Sequence, residues 1–178
     1  PSKMLNVHRQ TQQADFYYFY NYGDADTYPL AREMAAVKTD VTLHGSGVPF
    51  LLNAWDGRIT PIAAYESTDT TVTLRLRLDK NDSCIIALIR EPGYLDTAFP
   101  GLHTVLPELW AEYTDGQQIL LKSLTGAQID VPFSDKKVVS AGFTAIPASI
   151  PLKGWELTLE KWSESPVPNE SIKSIQTF

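Results

Sequence analysis

Scattered carboxylates, three histidines, one cysteine and a dense set of tyrosines are what this chain offers to chemistry. His8, His44 and His103 lack the near-neighbour spacing of zinc ligands and read as surface or packing residues. Asp24 and Asp26, in the run GDADT, invite a calcium loop, but the further oxygen ligands and the glycine that such a loop sets at fixed positions are missing. They read as solvated turn carboxylates, and no metal is expected. Glu108, Glu112, Asp56 and Glu66 are the acids from which a glycosidase pair would be drawn, yet that chemistry depends on a separation in space that sequence does not give. The chain has no G-x-S-x-G elbow, no H-E-x-x-H pair, no C-x-x-C and no dinucleotide-type glycine loop, and Gly45-Ser46-Gly47 lacks the lysine and helix of a phosphate loop. No catalytic residue and no cofactor are assigned. Cys84 lies in the apolar run SCIIALI without a basic neighbour to stabilise a thiolate, and reads as a small core residue.

Aromatic side chains carry the binding chemistry instead. In the run DFYYFYNYG, Phe16, Tyr18, Tyr20 and Tyr22 share one face of a strand while Tyr17, Phe19 and Asn21 share the other. Such a strand either packs inside a sandwich or turns one face outward as a stacking platform for sugar. Tyr18, Tyr20, Tyr65 and Trp55 are the candidate sugar contacts. Trp55 precedes the Asp56-Gly57 turn, where a tryptophan commonly folds inward to cover the hairpin. Burial is therefore the expectation for it, with Trp55→Ala costing about 3 to 5 kcal/mol.

These residues are positioned by strands. Val72, Leu74, Leu76 and Leu78 alternate with Thr71, Thr73, Arg75 and Arg77, the period of a half-buried strand. The turn formers Asp79 to Asp82 lead into an almost wholly apolar run over 84–89, which reads as a strand covered on both faces and as the hairpin partner of the first. Upstream, 50–55 passes through Asp56-Gly57 into 59–65 as a second hairpin. The spacing of Leu30, Met34 and Val37 makes 29–38 the only helix candidate. Proline and glycine punctuate 91–107, and further hairpins follow over 110–124 and 128–140. Trp155, Leu157 and Leu159 alternate with polar residues in a last clear strand, and 172–178 offers another. The fold class is all-β, an antiparallel β-sandwich with at most one short helix. Residues 1–95 form the sandwich meander, 96–150 the hairpins that complete or extend it, and 151–178 a C-terminal strand and tail.

A length of 178 residues with 43% apolar residues fits one sizeable core. A net charge of −6, without a Lys/Arg cluster, argues against nucleic acid as a partner. No apolar run approaches the roughly 20 residues that cross a bilayer, so neither a membrane span nor a targeting segment is expected within the chain. Sequons at Asn81 and Asn169 favour a secreted protein.

The stretches HRQTQQADFYYFYNYG, GVPFLLNAWDGRITPIAAYE and VTLRLRLDKNDSCIIALI together resemble the β-rich segment that follows the catalytic barrel in secreted fungal α-L-rhamnosidase-like glycoside hydrolases. The matching positions are His8, Arg9, Ala14, Asp15, Asn21, Trp55, Asp56, Gly57 and Ile59, and 154–162 resembles the opening of a later galactose-binding-like sandwich. A barrel of roughly 250 residues does not fit in this chain. The resemblance implies a non-catalytic accessory domain that packs against, or presents sugar to, a neighbouring catalytic domain. An independent carbohydrate-binding or structural domain with no attached enzyme is the alternative.

Overall fold

Two antiparallel sheets pack face to face through the alternating apolar residues of their strands. The computed structural model describes residues 3–23, 36–95, 99–114, 118–123, 126–144, 155–161 and 170–176, and contacts divide the chain into Pro1–Ala145 and Ile146–Phe178. In the first unit the larger sheet, sheet A, holds β1 (Lys3–Gln10), β2 (Ala14–Gly23), β4 (Val48–Leu52), β5 (Ile59–Pro61) and β8 (Ser83–Ile89) in the order β1-β2-β8-β4-β5. Sheet B holds β3 (Val37–His44), β6 (Tyr65–Ser67) and β7 (Thr71–Leu78) in the order β3-β7-β6. The core between them is made by Tyr17 and Phe19 of β2, Ile86 and Leu88 of β8, Leu43 of β3, Tyr65 of β6, and Val72, Leu74, Leu76 and Leu78 of β7. The all-β antiparallel sandwich read from the sequence is the fold, and no helix occurs among the described residues.

The partition of strands between sheets departs from the sequence reading in three places. β7 and β8 are not hairpin partners: β7 lies in sheet B and β8 in the centre of sheet A, so Asp79 to Asp82 crosses from one sheet to the other. That crossing is held by the Asn21 N–H donating to the Asp82 carbonyl at 2.9 Å and the Asn81 N–H to the Asn21 carbonyl at 3.1 Å, with Asn81 at φ 57°, a value asparagine tolerates. The run 59–65 is likewise two strands, because the chain leaves sheet A after Pro61 and enters sheet B at Tyr65. Most of the helix candidate, 29–35, lies outside the described residues, but Val37 and Lys38 open β3, where they pair with Leu78 and Arg77. Ladder hydrogen bonds across sheet B claim those two residues in place of a helical turn.

Gly45-Ser46-Gly47 makes a further crossing, from β3 to β4. A Cβ at Gly47 would stand 2.5 Å from the Ile89 carbonyl oxygen, and one at Gly45 would stand 2.6 Å from a carboxylate oxygen of Asp15. Only glycine lets the crossing chain lie this close to sheet A. Asp15, fully buried, is shared by two donors: His8 Nε2–H donates to its Oδ1 at 3.0 Å, and Arg90 donates to its Oδ2. Arg90 also donates to the carbonyls of Thr11 and Gln12, which ties the β1-β2 turn to the end of β8.

Beyond Ile89, residues 103–105 run beside β6. The Tyr65 N–H donates to the Thr104 carbonyl and the Thr104 N–H to the Ala63 carbonyl, each at 3.0 Å, and Thr104 bridges in turn to Phe133. Two hairpins belong to this region, β9 (Trp110–Tyr113) with β10 (Ile119–Lys122) and β11 (Gln128–Pro132) with β12 (Val138–Gly142). The 104 and 133 bridges therefore extend sheet B at its β6 edge. The second unit contains the antiparallel pair β13 (Trp155–Lys161) and β14 (Glu170–Gln176).

Candidate functional site

The two outer faces of the sandwich differ in kind. Sheet B turns Thr71, Thr73, Arg75 and Arg77 of β7 outward beside Lys38, Asp40 and Thr42 of β3. Polar pairs cover that face: Arg75 grips Asp40 through two hydrogen bonds, and the hydroxyls of Thr42 and Thr73 lie 3.0 Å apart. It is a polar sheet surface, half-buried at Thr71, Thr73 and Arg75, with the Arg77 guanidinium 5.8 Å from the Trp110 ring.

Sheet A is apolar on its outside as well as its inside. Residues opposite one another in an antiparallel ladder share a face, so the register sets out the outer face as rungs. One rung is Arg9, Phe16, Ala87, Phe50 and Pro61; the next is Val7, Tyr18, Ile85, Leu52 and Ile59; the next is Leu5, Tyr20 and Ser83. The end of the face around Ala14, Phe50, Ala87 and Ile89 is buried beneath Leu95 and Phe99, with the Phe50 and Phe99 rings 5.6 Å apart. The other end has no such cover among the described residues. There Leu5 is 47% exposed, Val7 38%, and Tyr18 and Tyr22 37% each, with Tyr20 and Ile85 half-buried between them. The rings of Tyr20 and Tyr22 lie 6.2 Å apart and nearly parallel. Arg9 is the only charged side chain on these three rungs. Apart from Arg9, this open half of the sheet presents aromatic and aliphatic side chains to water among the described residues.

Of the four residues read as candidate sugar contacts, Tyr18 and Tyr20 lie on this open half of sheet A. Tyr65 does not. It is 4% exposed in the core, its ring stacks on His103 at 3.7 Å, and burial pushes its hydroxyl up to about 12. A ring covered in this way cannot serve as a platform. Trp55 overturns the expectation of burial, at 90% exposed. The hairpin β4-β5 closes at Asn53 and Arg58, and Trp55 occupies the tip between them, beyond the reach of either sheet. Leu52 and Ile59, which start and end that tip, stand on the same rung as Tyr18, so the tip projects from the uncovered end of sheet A.

Two of the four acids, Asp56 and Glu112, have hydrogen-bonding partners that lower their carboxyls. Asp56 accepts from the Arg58 N–H at 2.9 Å and from its guanidinium at 2.6 Å, and these bonds lower its carboxyl below the usual range. Glu112 is lowered in the same direction, first by Lys122 and then by the Trp110 indole N–H, both of which donate to it. A general acid needs the opposite shift. Glu66 is exposed on β6, and Glu108 is exposed ahead of β9. Among the described residues, no group of three or more His, Cys, Asp or Glu gathers to hold a metal ion; Asp24 and Asp26 lie outside them.

One pair was not legible in the sequence. His8 and Asp15 are hydrogen-bonded, with the Tyr17 ring stacked on His8 at 4.3 Å, an arrangement reminiscent of a catalytic dyad. Among the described residues no hydroxyl or thiol is hydrogen-bonded to His8, and the Tyr17 hydroxyl donates instead to the His44 carbonyl. The cluster pins the turn β1-β2 to the β3-β4 crossing. The seven-residue separation of His8 and Asp15 across a tight hairpin was the available signal. Cys84 sits in the partly buried rim of the core, and burial, followed by the charge of Asp82, raises its thiol to about 12.

No helix among the described residues is long and apolar enough to cross a membrane. No family model matches the chain, and no curated protein matches it.

Proposed function

We infer that this sandwich is a non-catalytic accessory domain of a secreted, α-L-rhamnosidase-like glycoside hydrolase, and that it packs against the catalytic domain through the open half of the outer face of sheet A. The observation that carries this reading is the contrast between the outer faces: sheet B turns charged and hydroxyl side chains outward, while sheet A leaves Leu5, Val7, Tyr18 and Tyr22 partly exposed. Burying an apolar surface contributes about 25 cal/mol per Å², so a sheet face this apolar is stabilised by a neighbour. Aliphatic residues make up half of the exposed set, which suits a protein partner, since sugar stacks on flat rings. The stretches that carry the resemblance to the hydrolases include β2, β4, β5 and β8 of this sheet.

Hydroxyl-radical footprinting tests the reading, comparing the isolated chain with the product of its complete reading frame. Leu5, Val7, Tyr18 and Tyr22 react readily in the isolated chain and are protected in the longer protein. A reading frame without a catalytic domain, or equal labelling in the two proteins, refutes it. Secretion predicts that the native protein loses mass on enzymatic deglycosylation, with Asn81 carrying glycan; an unmodified protein from its own source counts against that part.

A further inference from the structure

We propose that the hairpin tip from Asn53 to Arg58 is a carbohydrate-contact site, in which Trp55 stacks on the apolar face of a pyranose and Arg58 and Asp56 meet its hydroxyls. The proposal does not rest on the docking role of sheet A, because it stands on the side chains of the tip alone, which the chain itself exposes.

Trp55 is the most exposed large hydrophobic residue among those described. The fold does not use its side chain. The turn is closed entirely by other groups: the Asn53 N–H donates to the Arg58 carbonyl, the Gly57 N–H donates to the Asn53 carbonyl, and the Trp55 N–H donates to the Asn53 side-chain oxygen, each at 2.9 Å. The Arg58 N–H and guanidinium both bind Asp56, and Gly57 takes the left-handed φ of 71° that the turn requires. Any residue at position 55 would serve this turn. A tryptophan held in water on a loop braced by its own hydrogen bonds is a preorganised contact, for which little ordering entropy is lost on binding.

The neighbours of the ring select the ligand. Arg58, with 73% of its side chain exposed, keeps N–H donors free of Asp56, and Asp56, 40% exposed, offers carboxylate acceptors beside them. A tryptophan ring on the same short loop as one donor group and one acceptor group suits a ligand with C–H bonds on one side and hydroxyls around its edge. An apolar protein pocket would have to desolvate the Asp56–Arg58 pair, which is costly. An anionic polymer or membrane surface would meet Asp56 and a chain of net charge −6. A neutral oligosaccharide meets none of these penalties.

The test is an array of neutral hexose, pentose and deoxyhexose oligosaccharides probed with the purified chain, followed by calorimetric titration of the strongest binder. Trp55→Ala weakens that binding by about tenfold or more, as loss of an aromatic hot spot does. Trp55→Tyr retains most of it by preserving a ring, and Arg58→Ala gives an intermediate loss. Melting temperatures of all three variants stay within about 2 °C of the parent, as expected for exposed positions. A blank array, an unchanged affinity in Trp55→Ala, or a loss of affinity matched by a fall in melting temperature would each overturn the proposal. Failure here leaves the footprinting result untouched, so the two readings fall separately.

Discussion

Gly47→Ala puts the sandwich crossing under a defined strain. At Gly47 φ is +126°, outside the regions open to a residue with a Cβ, and such a conformation costs of order 1 to 3 kcal/mol. The added methyl would also stand 2.5, 2.7 and 3.0 Å from the oxygen, carbon and nitrogen of Ile89. These are backbone atoms at the end of β8, where Ile89 pairs with both Val48 and Ala14. Relief therefore requires part of the ladder to open, at about 1 kcal/mol for each hydrogen bond weakened. The expected total is about 3 to 4 kcal/mol. With an m-value of about 2 kcal/mol/M, the urea midpoint falls by about 1.5 to 2 M. Gly57→Ala is the control, since Gly57 also has positive φ, at +71°, but has nothing within 4 Å of the place its methyl would take. That change costs about 1 to 2 kcal/mol, the left-handed penalty alone. Equal midpoint shifts for the two variants would refute the argument that close approach to Ile89, rather than backbone freedom, fixes glycine at position 47.

Arg90→Ala removes the principal partner of a fully buried carboxylate and leaves Asp15 with His8 alone; the expected cost is about 3 kcal/mol, read from urea unfolding, and a loss below about 1 kcal/mol would show that Asp15 is satisfied without it. His103 is lowered from its ordinary value of 6.5 by burial against Tyr65, so the unfolded chain binds the proton more readily. Its contribution to stability is present above pH 6.5 and is lost as pH falls through the lowered value; His103→Gln should flatten the pH dependence of the melting temperature in that acid window, and an unchanged profile counts against the assignment. Cys84, raised to about 12, should react with a thiol reagent at about pH 8 far more slowly in the native chain than in urea, and equal rates would show the thiol to be open.

Which residues face inward was readable from period and turn chemistry; which sheet they face inward from was not. The alternation Val72, Leu74, Leu76, Leu78 correctly places those side chains in the core, and the Asp56-Gly57 turn correctly marks a hairpin. Four turn formers such as Asp79 to Asp82 serve a hairpin and a sheet-to-sheet crossing equally well, because both reverse the chain within a few residues. The contrast between strictly alternating β7 and almost wholly apolar β8 held the missing distinction: one strand carries a polar face while the other is apolar on both, as befits strands in different sheets. Val37, Thr39, Val41 and Leu43 also alternate, and that period outweighs the helical spacing of Leu30, Met34 and Val37 at its end. As for the candidate site, the doubly aromatic pattern of β2 did not say which face turns outward: Tyr17 and Phe19 lie in the core, while Tyr18 is partly exposed on the outer face. Tyr65 and Trp55 changed places, core for surface, because strand position and loop reach are set by tertiary pairing.

The central position of β8 also governs when the domain can form during synthesis. β8 joins the β1-β2 hairpin to the β4-β5 hairpin, yet it is the last of the five strands of sheet A to be made. Roughly 65 residues separate the end of β2 from the end of β8, and at about 5–20 residues per second the ribosome takes roughly 3 to 13 s to supply them. Through that interval the edge of β2, with its tyrosines and phenylalanines, has no strand to pair with on the side that β8 will fill. Nascent chains stalled before Ser83 should therefore recruit chaperones or associate with one another, while chains released past Ile89 should collapse in a single cooperative step.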